Sequence, residues 1–266
     1  MIHDTLPKGE EVEETAVGKK EERDGVHWRK FFLGRKGRQE QVPAVALRGA
    51  EFNGTFVVWV HPDGKSSLVR GGKLVAAARR ILDRKAAILA VDVFRTGELQ
   101  GAKRPDVDPR YAGYTFGYNR PLLAERVHDI LTVVTFARGL PQTKAVHLVG
   151  FGKAGPWVVL ARGLCGDAVT RTAADLNQFR FDRVTRAEDE MMLPGALKYG
   201  DLPALAALAS PGELFLHNGF RYLRGAADRW RETWTADVYQ ADGAGKNLHE
   251  SPERVDPAKV IDWLLR

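Results

Sequence analysis

The chain has 266 residues, a hydrophobic fraction of 44%, a charged fraction of 28% and a formal net charge of +6. That length accommodates one large α/β domain with a buried core. The 40 Lys and Arg are interspersed with 34 Asp and Glu, without a basic stripe or a zinc-finger, RNP or KH signature, so no nucleic-acid partner is expected.

Residues 1–24 form a charged lead-in that reads as a solvated edge strand or as disordered, and residues 25–266 read as a single domain. No apolar h-region occurs in the first thirty residues and no window reaches the length of a membrane span. The chain therefore reads as soluble as given, with no membrane partner, no signal peptide in this sequence and its compartment unknown. Val26–Leu33 and Val42–Leu47 are predicted as two strands of an opening hairpin. Thr55–Val60 and Ala86–Val91 are continuous apolar runs, the pattern of strands buried on both faces. A helix is predicted over 71–84 between them. Residues 92–119 form a long Gly-, Pro- and Tyr-rich loop of the kind that often lines a site. Its tyrosines, between Tyr111 and Tyr118, are expected to pack beneath the loop, with stacking on sugar rings as the alternative. Leu123, Val127, Ile130, Leu131 and Val134 mark an amphipathic helix over 121–138 that leaves His128 at the surface. Further strands are predicted over 145–149, 168–174, 213–217 and 235–239. Helices are predicted over 153–165, 201–209, 220–232 and 257–265. Alternating strands and helices imply a mostly parallel sheet covered on both faces, with antiparallel strands added at one edge.

The strand over 145–149 runs into Gly150-Phe151-Gly152-Lys153-Ala154-Gly155, the setting of a G-x-S-x-G nucleophile elbow with glycine at the serine position. Glycine has no side chain to attack a carbonyl carbon. The same residues spell G-x-G-x-x-G, a dinucleotide fingerprint, but they follow two earlier buried strands, which disfavours that reading. In doubly wound sheets sites form at the carboxyl ends of strands. Those ends carry His61–Ser66, Asp92–Glu98, the elbow, and a loop over 243–250 containing His249. His147 alternates with apolar neighbours and is expected as a satisfied core histidine. The single cysteine, Cys165, is expected as a buried, inert thiol. No H-x-H, HExxH or calcium-loop pattern occurs, so neither a metal nor another cofactor is expected.

From about Pro43 onward the chain resembles the α/β-hydrolase family, in particular its acetyl-xylan-esterase-like branch of carbohydrate esterases. The marks are Val58–Lys65, Asp92–Glu98, the elbow, Pro194-Gly195 with Gly200–Pro203, and Ile261–Leu264. The resemblance implies an α/β-hydrolase fold, with a mostly parallel central sheet, an antiparallel N-terminal hairpin and helices on both faces. It implies a Ser–acid–His relay met in that order. Gly152 then stands at the nucleophile position and His249 at the base position. Backbone N–H groups of Lys153 and of the His61–Lys65 loop, including Gly64, would hold an oxyanion. No carboxylate occurs at the acid position over 218–222. Asp228 lies too far along a helix, and Asp175 and Asp182 could serve only after rearrangement. Whether the chain is an enzyme is thereby open. The expected function is that of a degenerate esterase-like domain, a pseudoenzyme that serves as a binding or structural unit. A polysaccharide or ester ligand and a catalytic partner domain are its expected contacts. The alternative is an active ester hydrolase with Ser66, or its neighbour Ser67, as displaced nucleophile and His249 as base, although a helix-capping role suits Ser66 better.

Overall fold

The computed structural model describes residues 2–104, 106–219 and 229–266. Strands β1 (Val12–Arg23), β2 (Val26–Arg35) and β3 (Val42–Arg48) form an antiparallel meander. It is followed by β4 (Thr55–Val60), the short hairpin β5 (Val69–Arg70) and β6 (Lys73–Leu74), helix α1 (Ala76–Asp83) and β7 (Ala87–Val91). The next elements are α2 (Ala112–Tyr118), α3 (Leu122–Gly139), β8 (Ala145–Gly150), α4 (Gly155–Cys165) and β9 (Arg171–Asp175). The chain closes with α5 (Asp201–Ala207), β10 (Glu213–His217), α6 (Arg229–Ala241), β11 (Leu248–Ser251) and α7 (Pro257–Leu264).

Nine strands make one sheet in the order β1-β2-β3-β7-β4-β8-β9-β10-β11. The six from β7 to β11 run parallel and β3 joins them antiparallel. This is the mostly parallel sheet with an antiparallel leading edge that the apolar runs imply. Parallel strands need crossover helices, which bury both faces. On one face Val58, Leu89 and Leu148 meet Ile130 and Val134 of α3 and Trp157 and Val158 of α4. On the other, Val57, Trp59 and Ile88 meet Ile81 of α1 and Val260, Ile261 and Leu264 of α7. Cys165 is buried, and burial pushes its thiol up to about 12.

Several expectations need correction. The helix expected over 71–84 begins only at Ala76, because Val69–Leu74 pairs as a hairpin. The strand expected over 235–239 is helical, within α6: Thr235 and Tyr239, four apart, both bury on one helical face, so packing overrides the β-branched and aromatic composition. Residues 220–228 of the helix expected over 220–232, with Asp228, lie outside the described residues. The last strand is instead β11. Of the two readings of the charged start, a solvated edge strand or disorder, the structure shows the edge strand. β1 pairs with β2 along the sheet edge, and residues 2–11 pack on α3, where Thr135 donates to the Pro7 carbonyl at 3.0 Å. That covering segment explains why His128 is 2% exposed rather than at the surface. Its Nδ1 lies 2.6 Å from Asp4 Oδ2 and its Nε2 3.0 Å from Glu40 Oε2, while Arg35 donates to Asp4 and Thr132.

Candidate functional site at the β8–α4 elbow

Strand β8 delivers the chain to a tight turn. Gly152 adopts φ +52, the left-handed region that side chains disfavour, and α4 starts three residues later. Gly155 lets that helix begin against the end of β9, since a Cβ there would sit 1.7 Å from the Asp175 carbonyl oxygen. At Gly152 the surroundings are open: a Cβ would meet only Pro62 Cγ, at 3.9 Å. The elbow therefore has its turn and room for a side chain, and carries none. Gly150 packs against Val158 and Gly155 against Asp175, so steric demands of the elbow account for the G-x-G-x-x-G glycines without a nucleotide.

Lys153 does not stand over the elbow as a desolvated amine. Its side chain is 64% exposed and Nζ lies 3.5 Å from Glu190 Oε1. Glu190 also accepts from Arg126 Nη2 at 2.9 Å, and the Arg126 guanidinium lies 4.1 Å over the Trp157 ring. Beside Lys153 opens a cleft of about 430 Å³ lined by Asn177, Phe179, Arg183, Glu190 and Met191.

The loop after β4 was expected to offer N–H groups to an oxyanion. The structure places those groups elsewhere. Asp63 N–H donates to His61 Nδ1 at 3.0 Å, Gly64 N–H to the His61 carbonyl at 2.9 Å, and Lys65 N–H to Asp92 Oδ1 at 2.7 Å. The buried Asp92 carboxylate also takes the Lys65 ammonium and the Glu98 N–H, which ties this loop to the one after β7. Burial pushes the His61 pKa down. Ser66 Oγ donates to the Asp63 carbonyl at 2.7 Å. Ser67 Oγ donates to the Gly64 carbonyl and accepts from Trp59 Nε1. Both serines are thus tied into the turn by donating to carbonyls three residues earlier, not, as expected, by capping a helix through its N–H groups.

His249 lies inside β11, not in a loop beyond the last strand. It pairs with Phe215, which pairs with Ala173, level with Val149 and three strands from the elbow, about 14 Å at the usual interstrand spacing. Its ring packs edge-on against Trp263 at 5.4 Å and its Nε2 is 3.5 Å from Arg266. The structure brings His249 next to neither Gly152 nor Ser66, because the true last strand begins at Leu248.

Asp175, packed against Gly155 of the elbow, gathers two other side chains instead. Asp175 ends β9 and is 2% exposed. Its Oδ1 accepts from Asn218 Nδ2 at 2.7 Å and from the Asn177 N–H at 2.9 Å. Asn218 is the residue directly after β10, where an acid was sought. Phe220, Arg221 and Tyr222 of that segment lie outside the described residues. Arg254, in the loop after β11, places Nε 3.6 Å from Asp175 Oδ2. Next to them His217 is buried, accepts the Val255 N–H on Nδ1 at 3.3 Å and leaves Nε2 without a hydrogen-bond partner among the described residues. Burial lowers its pKa while Asp175 pulls the other way. The strand-end position of Asp175 and His217, level in the parallel register, was the available signal for this cluster. Arg254 had none, since only the position of β11 reveals which loop it occupies. His147 is buried as expected but not satisfied: among the described residues its Nδ1 has no hydrogen-bond partner, and burial, then Arg171, pushes its pKa down to about 4. Among the described residues no group of three or more His, Cys, Asp or Glu is placed to hold a metal.

No protein-family model matches the chain. No curated protein matches it either. Solved structures do. The methylesterase BT1017 superposes with a TM-score of 0.58 at 14% identity over 94% of this chain, which spans 56% of that protein. A promiscuous CE15 esterase from a marine bacterial metagenome gives 0.60 at 11% identity over 95% of this chain and 83% of its own. Acetyl xylan esterase 1 from Thermoanaerobacterium sp. JW/SL YS485 gives 0.53 at 10% identity, covering 96% and 86%. At these identities the likeness is one of fold: the chain has the α/β-hydrolase fold, and these esterases share it.

Proposed function

We propose that this chain is an esterase-like α/β-hydrolase domain that binds rather than hydrolyses, acting as a binding or structural unit of a carbohydrate-esterase-type protein. The observation that carries the reading is the elbow itself. Gly152 holds the left-handed turn with open space above it and no nucleophile, while Arg254 and Asn218 stand where the loops after β11 and β10 would supply histidine and acid. A Ser–His–Asp relay needs all three members in contact, and what remains without them is binding and any surviving oxyanion donors. The donors of Asp63, Gly64 and Lys65 are already engaged, which weakens that residue further. The ligand of such a unit is a polysaccharide or its ester, and a catalytic domain is its natural partner, by the reading of the fold neighbours as carbohydrate-active esterases. The test is incubation of the wild-type chain with p-nitrophenyl acetate, acetylated xylan and a fluorophosphonate probe. The expected result is no turnover above buffer and no labelling. Saturable hydrolysis by the pure chain overturns the reading.

A further inference from the structure

Helix α2 carries an unexpected surface. Tyr111, Tyr114 and Tyr118 are 58%, 73% and 88% exposed, rather than packed beneath the 92–119 loop. Tyr114 and Tyr118, four apart, share one side of α2, and Tyr111 stands directly before the helix as its N-cap residue. The rings of Tyr111 and Tyr114 are 6.5 Å apart, and four residues of helix separate Tyr114 from Tyr118 by about 6 Å along the axis. Three large side chains held out to solvent in a row are costly to leave uncovered, and tyrosine is the aromatic that tolerates both water and an apolar partner.

The ridge runs into a cleft of about 730 Å³ to which Tyr118 contributes a wall. The cleft also carries Arg38, Lys103, Arg104 and Arg120. Arg120 is engaged with Asp4, Glu125 and the His128 ring. Arg38, Lys103 and Arg104 form no ion pair with any described residue. Among the carboxylates of the cleft, Glu40 is committed to His128. Glu125 faces Arg120, and burial pushes Asp129 up to about 7. Burial and then repulsion from Arg95 lower the Arg104 pKa. Asp106 and Glu125 pull the other way without forming an ion pair with Arg104.

We propose that the tyrosine ridge and this cleft bind an anionic polysaccharide, with sugar rings laid on Tyr111, Tyr114 and Tyr118 and a sugar carboxylate between Lys103 and Arg104. Pyranose rings present flat faces of C–H groups that stack on aromatic rings, and their successive spacing suits the interval between the tyrosines. A planar guanidinium recognises a carboxylate through paired N–H donors, and Lys103 adds a point charge. The site lies away from Gly152 and does not use the elbow. It deepens the binding-unit reading by naming the ligand class.

The experiment is affinity electrophoresis and calorimetry of the whole chain with sodium polygalacturonate, neutral xylan and duplex DNA. The variants are the pair Lys103→Ala/Arg104→Ala and the pair Tyr114→Ala/Tyr118→Ala, whose tyrosines are too exposed to support the core. Polygalacturonate is expected to bind at least about tenfold more tightly than neutral xylan or DNA, and each paired variant to lose about tenfold or more. No polygalacturonate binding, equal binding of DNA, or unchanged binding by either folded variant overturns the proposal. Ester hydrolysis by the wild type would instead defeat the binding-unit reading while leaving this result to stand or fall alone.

Discussion

Replacing Gly152 by serine separates what the elbow permits sterically from what the surrounding residues allow chemically. The new side chain enters open space, with Pro62 Cγ 3.9 Å from its Cβ, so no overpacking cost arises. The cost is the backbone: φ +52 is natural for glycine and disfavoured for serine by about 1 kcal/mol. In a domain of this size that lowers the melting temperature by about 2–4 °C. Chemistry is expected not to follow. A positioned general base is worth about 10²–10⁴ in rate, and His249, which the sequence suggests for this task, is three strands away. Scanning fluorimetry gives the first quantity and p-nitrophenyl acetate turnover the second. A loss above about 10 °C would refute the steric argument. A rise of about a hundredfold in turnover by Gly152→Ser alone would refute the account of the missing base. Adding Arg254→His, which sets an imidazole beside Asp175, is expected to give the first fluorophosphonate labelling.

Asp175→Ala strips the partner from Asn218, Asn177 and Arg254 and is expected to cost about 2 kcal/mol in urea unfolding, with Asp175→Asn costing less. Asp129 has a native pKa raised by burial to about 7, so its stabilising contribution is complete below about pH 4 and disappears as pH rises through 7. Asp129→Asn, which still accepts the Phe94 N–H, should therefore gain stability over the parent across that range and keep the gain at pH 9; parallel melting curves would contradict this. At the N-terminal clasp, burial opposes the charged state of His128, but its bonds to Asp4 and Glu40 raise its pKa. Burial likewise opposes ionisation of the two carboxylates, yet His128 holds both below their usual range. The carboxylate contribution is lost as pH falls through their native values and the imidazolium contribution as pH rises through its own, so the clasp is strongest between about pH 4 and 6.5. Arg35, Arg120 and Glu125 complete the charges that face it. Hydrogen exchange over residues 2–11 should show least opening in that window, and His128→Ala should abolish the pH dependence on the alkaline side. Cys165, with its thiol pushed up to about 12, should resist iodoacetamide until the chain is unfolded.

Much of the scaffold was legible in the sequence because its signals are local. Thr55–Val60, Ala87–Val91 and Ala145–Gly150 are apolar runs too continuous for any surface strand, and the elbow follows from Gly150, Gly152 and Gly155 alone. What failed depends on contacts far apart in sequence. Thr235–Tyr239 has strand-like composition, but the Thr235 and Tyr239 pair buries as one helical face. That single shift hid β11 and put His249 in a loop it does not occupy. His128 was read as exposed because the segment that covers it lies 124 residues earlier, at Asp4. Asp175 looked remote from the acid position until the parallel register set it level with His217. The tyrosines of α2 could have been judged only by knowing what lies over them.

Asp92 has a consequence for how such a chain can change over generations. Its carboxylate draws the Lys65 N–H inward from the loop beside the elbow, where that group's polarity would be wanted for an oxyanion. A serine arising at 152 and a histidine at 254 would still face a loop whose donors at Asp63, Gly64 and Lys65 are spent on their own neighbours. Loss of Asp92 would free only the Lys65 N–H, since those of Asp63 and Gly64 are held by His61, and it would leave the Lys65 ammonium and the Glu98 N–H without their shared partner and loosen two strand ends at once. Asp92 works as a ratchet: each single step towards ester turnover gives none by itself, and the step that would free the Lys65 N–H for an oxyanion weakens the fold.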